Sequence, residues 1–164
     1  MVDDFPNEKE RLAHLTRLAA RSFTRSLQFR LDGLDMTFGH WVFLRILWDE
    51  DGLTQRVLSE RANLTEPTTH NALVKLETLG YVKRKNLKGN NRRQHAFLTK
   101  KGRDARLKLE PLAIEVNEVA INGLSDKDVA KFRKFLITVI ENLTEDEARE
   151  ISQGRRVPPT RGAR

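Results

Sequence analysis

Two short helical segments closed around a tight turn, and followed at once by two short strands, constrain the fold of this 164-residue chain more than any other feature. Thr54 is placed to cap a helix running to Ala62, with Val57, Leu58 and Ala62 on its inner side, because a threonine oxygen satisfies N–H groups left free in a first helical turn. Asn63 and Leu64 make the turn, and Thr65 caps the next helix. Pro67 sits in that helix's first turn, where a missing N–H costs nothing, and Gly80 stops it. Tyr81–Leu87 and Arg93–Leu98 then read as strands joined by Lys88, Gly89, Asn90 and Asn91, a loop-forming run with a glycine able to take positive φ.

Longer helical patterns lie on both sides. From about Asn7 to Leu31, residues Leu12, Ala19, Phe23, Ser26 and Leu27 fall on one side at helical spacing, and Gly33 is expected to end the helix. From about Phe38 to Trp48 the chain is nearly all apolar on two sides, as in a buried helix, and Asp51 and Gly52 turn it. Thr99 is expected to cap a helix to about Asn122, interrupted at Pro111. Ser125 with Asp128 opens a last helix through Asn142. The expected class is mainly α with a small β-hairpin wing: a winged helix-turn-helix at 36–100, flanked by longer helices at 1–35 and 101–143, with a basic, disordered tail at 144–164.

Charge locates the function. The net charge is +7, and residues 83–103 carry nine basic side chains with no carboxylate. The four arginines from Arg155 onward carry +4, which leaves −6 for the rest. An acidic body with a folded basic segment suits contact with a polyanion. In a helix-turn-helix the second helix lies in the major groove with its outer residues toward base edges. On the segment from Glu66 to Leu79, residues Thr69, Ala72, Leu73, Leu76 and Leu79 cluster inward, while Pro67, His70, Asn71, Val74 and Thr78 point out. Asn71 can pair with an adenine edge and Val74 can touch a thymine methyl. Arg92 at the hairpin turn is placed for a minor groove, and Arg84 and Arg93 for phosphates. The expected set of DNA contacts is Thr65, Pro67, Thr68, Thr69, His70, Asn71, Lys75, Arg84, Lys88, Arg92 and Arg93.

Residues 52–102 resemble the MarR family of bacterial regulators. The likeness rests on Leu53-Thr54-Gln55 with Leu58-Ser59 and Ala62, on Thr65-Glu66-Pro67-Thr68-Thr69 through Leu76-Glu77 to Gly80-Tyr81-Val82, and on Arg92, Leu98-Thr99 and Gly102. It implies a homodimer paired through the outer helices and bound to a pseudo-palindromic double-stranded operator, acting as a repressor released by a small aromatic acid or its coenzyme A thioester. One departure stands out: the family usually has an acid two residues before the wing arginine, where this chain has Asn90, which can hydrogen-bond but not ion-pair. Guanidinium groups beside apolar walls suit a carboxylate. His14, Arg21 and Arg25, sharing a helix side with Leu15, Leu18 and Phe29, are therefore candidate effector contacts, and Phe38, His40 and Trp41 could add an aromatic wall.

The alternative is a winged-helix module for RNA or protein contact without an effector. An enzyme is not expected, since no phosphate loop, nucleophile elbow or acid/base pair of a recognisable motif is present. Zero cysteines remove thiol switches and thiolate metal sites, and the four histidines show no short ligand spacing, so neither metal nor cofactor is expected. With no apolar run near the roughly 18 to 20 residues that span a bilayer, and an acidic N-terminus, the chain reads as cytoplasmic.

Overall fold

The structure is a computed structural model that describes residues 9–87 and 90–156, and the backbone alone at 87 and 90–93. Two compact units, Met1–Ala120 and Ile121–Arg164, make up the chain. The first contains helices α1 (Leu12–Leu31), α2 (Phe38–Asp49), α3 (Gln55–Ala62), α4 (Glu66–Thr78), α5 (Lys100–Asp104) and α6 (Arg106–Ala120), and strands β1 (Leu53–Thr54), β2 (Val82–Leu87) and β3 (Asn90–Leu98). The second holds α7 (Asp126–Ser152). Among the described residues no helix is long and apolar enough to cross a membrane.

The core of the first unit is built on α2. Phe43, Leu44 and Leu47 are fully buried against Leu58 of α3, Leu73 and Leu76 of α4, and Val82, Ala96 and Leu98 of the sheet. Leu27 and Leu31 of α1 and Leu109 and Val116 of α6 complete it, and Arg30 pairs with Glu115 at 2.8 Å where α1 meets α6. Each fully buried leucine contributes about 1.5–3 kcal/mol relative to exposure. α3 and α4 are thus held by apolar contact rather than by local propensity.

Several expectations are corrected. The sheet has three strands in the order β1-β3-β2, all antiparallel, because Leu53 and Thr54 pair with Ala96 and His95. Helix α1 begins at Leu12 and ends at Leu31 as expected, but Gly33 is not the reversing residue: it lies in a 3-10 turn spanning Asp32–Leu34, and the left-handed residue is Asp35, at φ 52°. Of the apolar side expected there, only Leu27 is buried; Leu12 is 76% exposed. Nor does Pro111 interrupt its helix: α6 runs through it, and the break falls at Ala105. A proline removes one N–H, and Leu107, whose carbonyl would have received it, is exposed to water. On α3 the expected inner side holds, with Leu58 fully buried and Val57 and Ala62 packed against the core, but Ser59 is buried as well, its hydroxyl donating to the Arg56 carbonyl. Finally, α7 continues past Asn142 to Ser152, so residues 144–152, read as disordered tail, are helical. Their Glu, Ala and Arg content favours helix. Residues 157–164 lie outside the described part.

Candidate nucleic-acid interface

The two helices are framed by four local devices that the sequence announces. Thr54 Oγ1 accepts the Val57 N–H, and Asn63 closes α3 in the left-handed region at φ 51°. Thr65 then caps α4, its oxygen accepting the Thr68 N–H, with Pro67 in the first turn. At the far end Gly80 takes φ 79°, and the N–H groups of Gly80 and Tyr81 return to the carbonyls of Glu77 and Leu76. Positive φ there suits glycine and lets the chain reverse directly into β2.

Inside that frame, α4 has two unlike sides. Thr69, Leu73 and Leu76 are buried, and Ala72 and Leu79 are half-buried, as expected. Pro67, Thr68, His70, Asn71, Val74, Lys75 and Thr78 are exposed. His70 is held by its neighbour: its Nδ1 lies 3.1 Å from Gln55 Oε1, so the first residue of α3 orients a side chain on the outer side of α4.

Two expected contacts are corrected. Thr69 is fully buried and its hydroxyl donates to the Thr65 carbonyl at 3.0 Å, so it packs the helix and has no path to a base. Arg84 is not a free phosphate ligand. Its backbone N–H donates to Glu77 Oε1 and its Nε to Glu77 Oε2, both at 2.8 Å, and its side chain is only 16% exposed. These two donors hold the Glu77 carboxyl below its ordinary range, the backbone bond contributing most. The side chains of Lys88, Asn90, Arg92 and Arg93 lie outside the described residues.

The basic segment is also divided in its uses. Lys83 is exposed, and Lys85 stands 4.4 Å over the Phe97 ring. Further on, Lys101 donates to the Leu79 carbonyl at 2.8 Å and covers Tyr81, Arg103 donates to the Leu98 carbonyl, and Lys100 pairs with Asp104. The Lys101 and Arg103 bonds secure the joint between α4, β3 and α5, whereas the Lys100–Asp104 pair lies within α5. At that joint Gly102 is required, since a Cβ would stand 2.1 Å from the Tyr81 carbonyl oxygen. Trp48 Nε1 donates to the Gly102 carbonyl, and Asp51 Oδ1 accepts the Gly52 and Leu98 N–H groups. Sequence reasoning missed Gln55, Asp51 and Glu77. Only strand phase, which sets Arg84 on the same side of β2 as buried Val82, could have pointed to Glu77.

Of the six effector candidates, the structure gathers three. Phe38 and Trp41 have ring centroids 5.8 Å apart, Arg45 stands 5.7 Å over the Trp41 ring, and Trp41 Nε1 is buried with no acceptor among the described residues. His40 closes a reciprocal cap: its Nδ1 accepts the Thr37 N–H, and Thr37 Oγ1 accepts the His40 N–H. Burial, then the nearby Lys75 charge, pushes the His40 pKa down. By contrast, Arg21 and Arg25 are exposed on α1, and His14 is tied to Arg17 at 3.2 Å. None of the six lines the cleft of about 470 Å³ formed by Leu34, Tyr81, Ala105 and Leu109 with Lys100, Lys101, Asp104 and Lys108.

This arrangement is shared with known proteins. Residues 34–94 match the MarR family model. The HTH-type transcriptional regulator TtmR of Methylorubrum extorquens (strain PA1) is 30% identical over 110 residues, which cover 67% of this chain and 56% of that one, so the chain spans little more than half the length of that relative. A MarR transcriptional regulator from Methanosarcina mazei Go1 superposes with a TM-score of 0.77 at 25% identity, covering 85% of this chain and 93% of that one. A MarR-family regulator from Listeria monocytogenes, solved with 26mer DNA, gives a TM-score of 0.78 at 20% identity, covering 91% and 99%. These relatives are named as regulators and not as enzymes. With this match over its helix-turn-helix and hairpin, the chain belongs to the MarR family of transcriptional regulators.

Proposed function

We propose that the chain is a homodimeric, sequence-specific repressor that binds double-stranded DNA at a pseudo-palindromic operator. The observation that carries this reading is the outer side of α4, where Thr68, His70, Asn71, Val74 and Lys75 are all exposed while Thr69, Leu73 and Leu76 lock the other side into the core. Such a helix presents hydrogen-bonding groups and one apolar contact to a major groove without rearranging. The Listeria regulator of the same fold was solved on DNA, which supports the same use here. Dimerisation is supported by α7, which exposes Phe132, Phe135, Ile140 and Leu143 and buries none of its residues. Two copies set two recognition helices on successive major grooves, about one helical turn apart.

Release belongs to the same proposal. An aromatic carboxylate or its thioester at the start of α2 would stack on Phe38 and Trp41 and give the buried Trp41 Nε1–H the acceptor it lacks among the described residues. His14, Arg21 and Arg25 on α1 are the proposed cationic partners of the carboxylate. Binding better to a DNA-incompetent arrangement than to the competent one is sufficient for release. Sedimentation of the full chain, then release of a selected duplex by benzoates and their coenzyme A esters, tests the reading. The expected result is a dimer whose DNA affinity falls at least tenfold with one of these compounds, and falls less when Trp41 is replaced by Phe. A monomer on DNA, or release unaffected by Trp41→Phe, would overturn the corresponding part.

A further inference from the structure

Side chains alternate across a strand. Val82, the first residue of β2, is buried, so Arg84 two residues on lies on the same side, toward the end of α4. There a single residue of α4 receives it twice: Glu77 Oε1 takes the Arg84 backbone N–H and Oε2 takes Nε, each at 2.8 Å. Two bonds to the two oxygens of one carboxylate, one from the strand backbone and one from the side chain, fix direction as well as distance, which one bond cannot do. Arg84 also pairs with Ala96 across the ladder, and Ala96 is buried, so β3 is carried with β2. The carboxylate of the recognition helix therefore holds the hairpin at the last point before it extends past the core. Lys83 and Lys85, on the opposite side of β2, have no part in this contact.

We propose that Glu77 is a positioning residue for DNA recognition: through Arg84 it sets the direction of the hairpin relative to α4, so that a single placement of the protein serves both the major groove and the groove beside it. The inference rests on the DNA-binding reading above. Leverage explains why one contact matters. Three residues beyond Arg84 the strand has advanced about 10 Å, where a 10° tilt displaces it by about 2 Å. That exceeds the roughly 0.5 Å range over which a hydrogen bond stays good. Recognition would then continue on α4 while the hairpin missed its phosphates and groove.

The experiment compares hydroxyl-radical footprints and affinities of the full-length chain and its Glu77→Ala, Glu77→Gln and Arg84→Ala variants on a duplex selected by the wild type. Circular dichroism confirms that each variant is folded. Wild type should protect both the half-site centres and the outer flanks. Glu77→Ala should keep the centres, lose the flanks and bind roughly tenfold more weakly. Glu77→Gln, which retains an acceptor for the Arg84 N–H, should recover part of the flank protection. The double variant Glu77→Ala with Arg84→Ala should be no weaker than the weaker single variant, since both remove one linkage. Flanks that stay protected in folded Glu77→Ala, or centres and flanks lost in equal measure, overturn the positioning role. A wild type that protects no duplex overturns the DNA-binding reading and this inference with it.

Discussion

The recognition helix and the basic segment that follows it were equally prominent in the sequence, yet they differ in how much of their chemistry is free to act. On α4 the outer polar side chains are exposed and, among the described residues, only His70 is hydrogen-bonded to a neighbouring helix. Between residues 83 and 103, Arg84 is bound by Glu77, Lys101 by the Leu79 carbonyl, Arg103 by the Leu98 carbonyl and Lys100 by Asp104. The nine positive charges still shape a long-range field. As individual contacts, though, several of them build the joint that aims the hairpin. Counting charge measures attraction, whereas exposure and prior partners decide which groups can read DNA.

The largest effect that could break this comparison is at Asn71. Replacing it with alanine should cost about 1–3 kcal/mol of operator affinity and relax the preferred sequence, as an equilibrium titration against a set of single-base variants would show. An unchanged preference would take Asn71 out of the reading set. Next comes Thr69, two positions away and buried: Thr69→Val should cost about 0.5–1.5 kcal/mol of folding stability in chemical denaturation while leaving the preferred sequence alone. A sequence shift in that variant would mean that the buried side of α4 reaches bases after all.

A smaller effect separates the basic residues from one another. Each phosphate contact contributes about 0.9 to the slope of log affinity against log salt. Lys83→Ala should reduce that slope by about one such step, whereas Lys101→Ala should leave it unchanged and lower thermal stability instead. Equal slopes for the two variants would show that the segment acts as undivided charge. The smallest effect concerns His40, whose pKa is pushed down in the folded chain by burial and by Lys75. A depressed histidine favours the neutral form, so its contribution to stability is present above the ordinary value of 6.5 and is lost as pH falls from there through the folded value. Thermal melts should show a loss of stability on going from pH 7.5 to 5.5 that is smaller in His40→Gln; identical pH dependence would remove His40 from the account.

Much of the frame was legible because its signals are local. Thr54, Thr65, Thr99 and Ser125 each accept the expected first-turn N–H, and Gly52 and Gly80 take positive φ where turns were read. What escaped depends on pairing between distant residues. β1 is two residues long, too short to alternate, and exists because β3 offers it Ala96 and His95. Arg84 looked like its basic neighbours until strand phase and the end of α4 placed it against Glu77. Helix α7 was cut short because an apolar stripe marks a helix only as far as it has something to bury, and its last turns are charged and exposed. The proposed site divides in the same way. The outward set on α4 followed from helical periodicity, except that Thr69 was counted on both sides of the helix. The effector set mixed three residues that meet at the start of α2 with three spread along an exposed part of α1.

The central claim is that an exposed, polar recognition helix and an adjoining basic hairpin read duplex DNA together as part of a dimer. Selection of bound duplexes from a random library by the full-length chain, followed by a salt titration on the enriched site, tests it most directly. The account predicts two inverted half-sites centred about 10 to 10.5 base pairs apart, bound with an affinity that falls steeply with salt. Enrichment of no sequence, or a single half-site bound with a flat salt response, would contradict it.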